Sequence, residues 1–423
     1  MGSRVVYVVL IIFSISLLVT GAIVSPISEI LPGLKIIITS ESTLITDYFA
    51  IAGPGAALIN AGLVSLISIA LLHFSRDPIR GSTVMTIGFM AGFSMFGKNF
   101  VNIWPIIIGT WLYAIYQRES FMKYTPVALL STALSPLVSF MALREGASID
   151  HLLLAAVSGL TIGFVMPSLA NYTYRIHNGM NLYNTGFAAG LLAMILVPIV
   201  TAFGVAPESA YFWSTEYHGQ ALIYLLILLG LLFVSAFVLD RRVLKSYKQL
   251  VLARGHSPND YLEKFGAPAV ILNASICGGM GLVYILVTGG VLNGATLGSI
   301  ITVMGFSAFG KNPRNIAPIM VGVMLGGYMN TWPINSPAML LAGLLCTSLA
   351  PMTDYFGMVV GLLAGFLHSS VVLYAGTPLA GLNLYNNGFS AGLVATVLYP
   401  VLTKFLKHHR AKFGTRNFLD TFN

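Results

Sequence analysis

The chain has 423 residues, of which 56% are apolar and only 9% are Asp, Glu, Lys or Arg, against roughly a quarter charged in an ordinary soluble domain. With a mean hydropathy of +0.83 and 43 glycines spread through apolar runs, the composition is that of a polytopic α-helical membrane protein, where glycine is common at helix contacts. It excludes nucleic-acid binding and ordinary water-soluble catalysis, and the net charge of +8 reads as topology-setting charge beside an anionic leaflet.

A membrane span needs about 20 mostly apolar residues. In chain order, apolar runs lie near 5 to 24, 50 to 72, 82 to 97, 103 to 117, 124 to 142, 151 to 168 and 185 to 204. A second series lies near 220 to 239, 266 to 289, 294 to 309, 316 to 330, 337 to 350, 356 to 374 and 388 to 406. Several are too short to cross unaided and predict half-helices, re-entrant segments or helices buried among others, for ten to fourteen crossings in all. The first run follows Arg4 without a small-residue cleavage site and is expected to stay as a helix. Cys277 and Cys346 lie inside apolar runs as small packed residues.

Short basic loops orient the runs. Arg76 and Arg80, Arg118 and Lys123, the stretch from Arg241 to Lys264, and the tail with Lys404, Lys407, Arg410, Lys412 and Arg416 share one side, the cytoplasmic one. The loop near 205 to 219, with Glu208 and Glu216 and no Lys or Arg, suits the opposite face. An inner membrane location follows as an expectation.

The chain repeats itself. Residues 92 to 109, GFSMFGKNFVNIWPIIIG, match 305 to 322, GFSAFGKNPRNIAPIMVG, at twelve of eighteen positions with an offset of 213. Residues 181 to 198, NLYNTGFAAGLLAMILVP, match 383 to 400, NLYNNGFSAGLVATVLYP, again at twelve of eighteen, with an offset of 202. Asn60 with Asn273 and Pro136 with Pro351 extend the match, and the change of offset places extra residues of the first copy around Arg144 to Asp150. An odd number of crossings per copy makes the second copy enter from the opposite side. The expected fold is therefore an all-α integral membrane protein of two inverted-topology repeats, each of about five to seven helices with re-entrant or half helices. Residues 1–204 form the first membrane repeat. Residues 205–265 hold a connecting helix start and a basic cytoplasmic loop, with helix 220–239 belonging to the second repeat. Residues 266–407 complete that repeat, and 408–423 are a basic tail.

In the FGKN motif, Phe96, Lys98 and Asn99 recur as Phe309, Lys311 and Asn312, and each copy continues to Asn102 or Asn315 and then Pro105 or Pro318. Asn102 and Asn315 can cap a helix whose first turn accepts the proline. If the loop lies inside the membrane, its backbone is tolerable only along a cavity, and the lysines reinforce a helix N-terminus facing an oxygen-rich or anionic solute. If it lies at the interface, both lysines snorkel to headgroups. In the second motif Asn181, Tyr183 and Asn184 recur as Asn383, Tyr385 and Asn386, groups that both donate and accept and can line a pore or join helices. Glycines four apart in GFAAG and GFSAG, and at Gly357, Gly361 and Gly365, predict helix contacts. Asp354, His177, Arg175 and His368 have no match in the other copy and are the candidates for a proton relay. No zinc pattern, phosphate loop or dinucleotide fingerprint is found, so neither enzymatic activity nor a cofactor or metal is expected.

Over most of its length the chain resembles a family of uncharacterised prokaryotic multi-pass membrane proteins with internal duplication. In its motifs, Phe309 to Pro313 with Asn383 to Gly392, and Phe96 to Asn99 with Asn181 to Gly190, it distantly resembles urea transporters. That resemblance implies five spanning helices and a re-entrant pore helix per repeat, a pore in each protomer of a homotrimer, and Phe96 and Phe309 as filter residues. Lysine at 98 and 311, Phe100 in place of the motif's proline and the late Pro105 and Pro318 depart from that family. The expected function is a membrane channel or facilitator for a small polar solute, urea-like, amide-like or a small anion. The alternatives are a proton- or cation-coupled transporter using Asp354 or His368, and a scaffold without transport. The expected partners are that small-molecule solute, the lipid bilayer and further copies of the chain.

Overall fold

The computed structural model describes residues 2–76, 78–204, 207, 209–255, 259–329 and 331–413. Glu208, Arg416 and the side chains of Arg4, Lys407, Arg410 and Lys412, which entered the orientation argument, lie outside the described residues. The first half forms α1 (Gly2–Val24), α2 (Ile27–Ile38), α3 (Tyr48–Phe74), α4 (Gly81–Phe93), α5 (Trp104–Tyr116), α6 (Thr125–Ser131), α7 (Ser135–Leu143), α8 (Ile149–His177) and α9 (Asn184–Ala202). The second forms α10 (His218–Leu239), α11 (Val243–Leu252), α12 (Tyr261–Val287), α13 (Gly294–Phe306), α14 (Pro313–Met329), α15 (Pro337–Leu345), α16 (Ala350–Phe356), α17 (Met358–Ala375) and α18 (Asn386–Phe413). Element for element, the second half repeats the first.

Among the described residues ten segments are long and apolar enough to cross a membrane: α1, α3, the α6–α7 pair, α8 and α9, and likewise α10, α12, the α15–α16 pair, α17 and α18. This is a multi-pass membrane protein. The short α4, α5 and α13 are apolar as well. Two helices escaped the hydropathy reading. Glu29 and Lys35 interrupt the apolar run of α2, and Lys245 and Lys248 that of α11, so both show as amphipathic stripes rather than runs. The segment expected as a basic loop is thus partly helix. The extra residues of the first copy are also not confined to a loop. Five residues, 144–148, separate α7 from α8 where Gly357 alone separates α16 from α17, and α8 has 29 residues against 18 in α17.

The halves meet along two helix pairs. The first is α4 against α13, packed antiparallel: Gly81 lies against Ala308, Gly88 against Gly305, Gly92 against Gly298 and Gly294 against Met95. The second pair is α9 and α18, where Gly186 and Gly388 touch, Gly190 meets Phe389, and Gly392 meets Phe187. The glycines of GFAAG and GFSAG are therefore contacts between halves. Gly361 and Gly365 pack on Thr353 and on the Ile319 carbonyl within the second half. Gly357 is different: its φ of 95° makes the break between α16 and α17, a backbone that glycine adopts without strain.

Each helix of the first pair begins on an aspartate from the other half. Asp47 Oδ1 accepts from the Gly294 amide at 3.1 Å, and Asp260 accepts from the Gly81 amide at 2.9 and 3.0 Å. The amides of Tyr48 and Tyr261, just after these aspartates, donate to the Met95 and Ala308 carbonyls at 3.0 and 3.1 Å. Asp47 and Asp260 are 213 apart, as are the other partners, so one contact set occurs twice, with the halves exchanged. Unpaired first-turn amides favour a negative group at a helix start, which is why an acid stands there.

A Cβ on Gly92 would come within 2.2 Å of the Gly298 carbonyl oxygen, a backbone atom that cannot step aside, whereas one on Gly230 meets nothing within 4 Å. Gly92→Ala should therefore destabilise the protein by about 1–3 kcal/mol, the usual cost of overpacking. Gly230→Ala should leave thermal unfolding in detergent unchanged or slightly raised. Equal melting temperatures for the two variants would contradict the close packing of α4 on α13.

Candidate functional site

The FGKN motif is the C-terminal cap of α4 and, in the second copy, of α13. The Lys98 amide donates to the Phe93 carbonyl at 3.1 Å and the Lys311 amide to the Phe306 carbonyl at 3.3 Å, across Gly97 and Gly310 with φ of 133° and 110°. Glycine at the residue past the helix end permits this reversal. Each lysine is thereby turned back over the helix it terminates. Asn60, within α3, donates to the Ser94 and Lys98 carbonyls at 2.6 and 2.8 Å, and Asn273, within α12, donates to the Ser307 and Lys311 carbonyls at 2.8 and 2.7 Å. These bonds hold both loops against the flanks of long apolar helices. Both lysines are buried with 0% exposure, so the snorkelling geometry does not occur.

Neither amine meets an acid. Lys98 Nζ lies 3.4 Å from the centroid of Phe89 and 5.8 Å from that of Phe93, with the Met90 sulfur at 3.6 Å. Lys311 Nζ donates to Tyr183 Oη at 2.7 Å and Thr347 Oγ1 at 2.8 Å, and lies 4.9 Å from the Phe306 centroid. Among the described residues the one ion pair is Lys123–Glu119, at the surface. A cation–π contact is worth about 0.5–2 kcal/mol, whereas burying an unpaired charge costs several kcal/mol. Aromatic faces and the partial negative charge of a helix C-terminus offset that cost only in part.

The rings link the two lysines. Tyr385 stacks on Phe89 at 4.3 Å and sits edge-on to Phe93 at 4.5 Å; Tyr183 sits edge-on to Phe306 at 4.5 Å; and the two tyrosine rings are 5.3 Å apart. The pairs Phe93–Tyr385 and Phe306–Tyr183 are the same contact with the halves exchanged. The phenylalanines at the lysines are therefore Phe89 and Phe93 for Lys98 and Phe306 for Lys311, not the expected filter residues Phe96 and Phe309. Phe96 stacks behind Phe93 at 4.9 Å, and Phe309 is half-buried away from the cluster.

The asparagines have another task. Asn99 and Asn102 each accept the other's backbone amide, at 2.8 and 2.9 Å, and Asn102 Nδ2 donates to the Gly97 carbonyl and Ser139 Oγ. Asn312 and Asn315 repeat the exchange at 3.2 and 2.9 Å, with Asn315 donating to the Gly310 carbonyl and to Asp354. The expected helix caps shift accordingly: α5 starts at Trp104 with Pro105 in its first turn, but α14 starts at Pro313, leaving Asn315 in the first turn and Pro318 inside the helix. Phe100 in place of that proline explains the delayed start of α5.

Asn181 and Asn383 accept from the amides of Tyr183 and Tyr385 at 2.9 and 3.0 Å, setting both rings, and Asn181 also donates to the Gly388 carbonyl across the junction. Asn184 binds Thr173, His177 and the Ala170 carbonyl, while Asn386 Oδ1 has no partner among the described residues. His177 and His368, unmatched in sequence, prove equivalent in role: each Nε2 donates to an asparagine at the start of the next helix, Asn184 at 3.0 Å and Asn387 at 3.1 Å. Asp354 anchors the Gly255 amide and Asn315. Phe89, Met90, Phe93, Thr132, Phe306 and Thr347 were not singled out in the sequence. Phe93 and Phe306 stand inside the matched FGKN segments, and Thr132 and Thr347 precede the matched prolines by four residues.

A family described as Protein of unknown function (DUF1576) matches residues 27–202 and 239–404, two stretches that follow the two halves. No curated protein and no solved structure matches the chain, and nothing in these comparisons supports the expected resemblance to urea transporters.

Removing Asn60 or Asn273 strands two buried carbonyls each. Asn60→Leu and Asn273→Leu should each lower stability by about 2 kcal/mol or more, at about 1–3 kcal/mol per unsatisfied group, measured by thermal unfolding in detergent. An effect in one half without the other would break the equivalence of the loops.

Proposed function

The chain belongs to the family whose model spans both of its halves, and from that duplicated architecture we propose a membrane facilitator that passes a small polar solute along the junction of two inverted repeats. The observation that carries this reading is the antiparallel packing of α4 on α13, with its reciprocal Asp47–Gly294 and Asp260–Gly81 contacts. Equivalent helices packed antiparallel about a common centre are what a twofold axis in the membrane plane generates, and such an axis brings interrupted helices together near mid-bilayer. Five candidate spans per half among the described residues, with the short α4 and α5 entering and leaving on one side in this reading, supply the odd count that an inverted topology needs. The basic segment around α11 and the C-terminal tail then share the cytoplasmic face of the inner membrane.

Polar groups at that depth are expensive and mark a pathway rather than a scaffold. Stacked rings at 4.3 to 5.3 Å close the centre, so passage requires the tyrosines and phenylalanines to move, as in a facilitator with a gated centre. The coupled reading is less well supported, because Asp354 is spent on a backbone amide and Asn315.

Two measurements test this. Ser120 and Asn335 are exposed in equivalent loops, before α6 and before α15, while Cys277 and Cys346 are buried. Ser120→Cys and Asn335→Cys should react with a membrane-impermeant maleimide from opposite faces of oriented vesicles; labelling from one face would exclude inversion. Reconstituted protein should accelerate the entry of at least one solute among urea, acetamide, formate, chloride and nitrate, and no acceleration for any of them would count against passage.

A further inference from the structure

The donors and acceptors left at the centre after the asparagines are accounted for are unequal in number. A neutral amide such as urea needs acceptors for its N–H groups, yet the amide oxygens of Asn99, Asn102, Asn312 and Asn315 already take backbone amides. What faces the rings is a lysine amine in each half, a donor group, with tyrosine and threonine hydroxyls beside it; the amide oxygen of Asn386, unpartnered among the described residues, stands at the start of α18. Tyr385 Oη is buried and has no hydrogen-bond partner among the described residues. Lys98 Nζ points at the Met90 sulfur at 3.6 Å, and Thr132 Oγ1, whose hydroxyl donates to the Leu129 carbonyl at 2.5 Å, lies 3.5 Å from the same sulfur. A thioether is a weak acceptor for an amine, and an anion in its place would bring the countercharge that a buried lysine lacks.

We propose that the solute is a small monovalent anion, held at two equivalent stations, one formed by Lys98 with Tyr385 and Thr132 and the other by Lys311 with Tyr183 and Thr347. This deepens the passage reading and rests on it for direction of travel. At the second station the amine already bonds both hydroxyls, so an arriving anion exchanges those bonds for its own. At the first it displaces the Met90 sulfur and gains the free hydroxyl of Tyr385.

The test uses the full chain in detergent and in vesicles, with sodium nitrate, chloride and formate against sodium gluconate at equal ionic strength. Nitrate, chloride or formate should raise the melting temperature of the wild type relative to gluconate, since a ligand that binds the folded state stabilises it. The rise should vanish in Lys98→Met with Lys311→Met, persist in the Arg pair and shrink in Tyr385→Phe, which removes only an unpartnered hydroxyl and guards against a Met pair that fails to fold. Anion flux should fall roughly tenfold or more in the Met pair, the scale of losing a hydrogen bond to a charged group. Urea or acetamide entry unaffected by the lysine variants, with no anion-dependent shift, would overturn the anion assignment and leave passage standing. A lysine-dependent shift without flux of any solute would uphold the anion site and remove passage.

Discussion

An amine shut away from water has to be held by something, and the interior of this protein is arranged around two of them. Lys98 and Lys311 are delivered inward by the same device, a glycine reversal at the end of a short helix, and asparagines on α3 and α12 pin the reversed strands by their carbonyls. Without those bonds the loops would expose backbone polar groups to an apolar surround, which costs more than any single packing contact returns. Ordered loops and buried lysines are therefore one construction, and the aromatic rings that face the amines follow from it.

Neither half completes its own site. Tyr183 belongs to the first half yet serves Lys311, and Tyr385 of the second half stacks on Phe89 and sits edge-on to Phe93 of the first. The backbone repeats the exchange: the Leu182 amide donates to the Ser348 carbonyl at 2.8 Å, and the Leu384 amide to the Ala133 carbonyl at 3.0 Å. With the starts of α4 and α13 also held by the opposite half, a separated half would leave helix ends, ring faces and loop carbonyls unpaired at once. Cooperative folding of the whole duplication follows from where these bonds cross.

Much of this was legible in the sequence because duplication marks contacts as well as elements. Long apolar runs gave the spanning helices, and the two conserved offsets picked out Lys98 and Lys311, Tyr183 and Tyr385, and Asn60 with Asn273. Function within a motif was harder to read than the motif itself. Asparagine can face a solute or a backbone amide with equal chemistry, and only the fold shows Asn99 and Asn102 bonded to each other's amides. The choice between Phe93 and Phe96 turns on helix phase: a lysine turned back over its helix reaches the preceding turns, so the rings below the glycine face it and the one beside the glycine does not. Amphipathic α2 and α11 were missed because a charge every few residues hides a stripe from any test that looks for a run.

The two stations share a plan but not a lining, and the difference lies in two positions of the short helices. Phe89 and Met90 in α4 stand where α13 has Thr302 and Val303. Valine is too short to reach the amine, and Thr302 spends its hydroxyl on the Gly298 carbonyl at 2.9 Å, so Lys311 turns to Tyr183 and Thr347. In the other half the long, polarizable Met90 side chain reaches between Lys98 and Thr132, and the broad face of Phe89 lies 3.4 Å from the amine. The first amine is thus held by soft, weakly bonding groups and the second by two hydroxyl oxygens. Under the proposed anion reading, equivalent backbones with unequal grips on the amine bias a guest toward the half where less has to be broken to receive it, the half that contains Lys98.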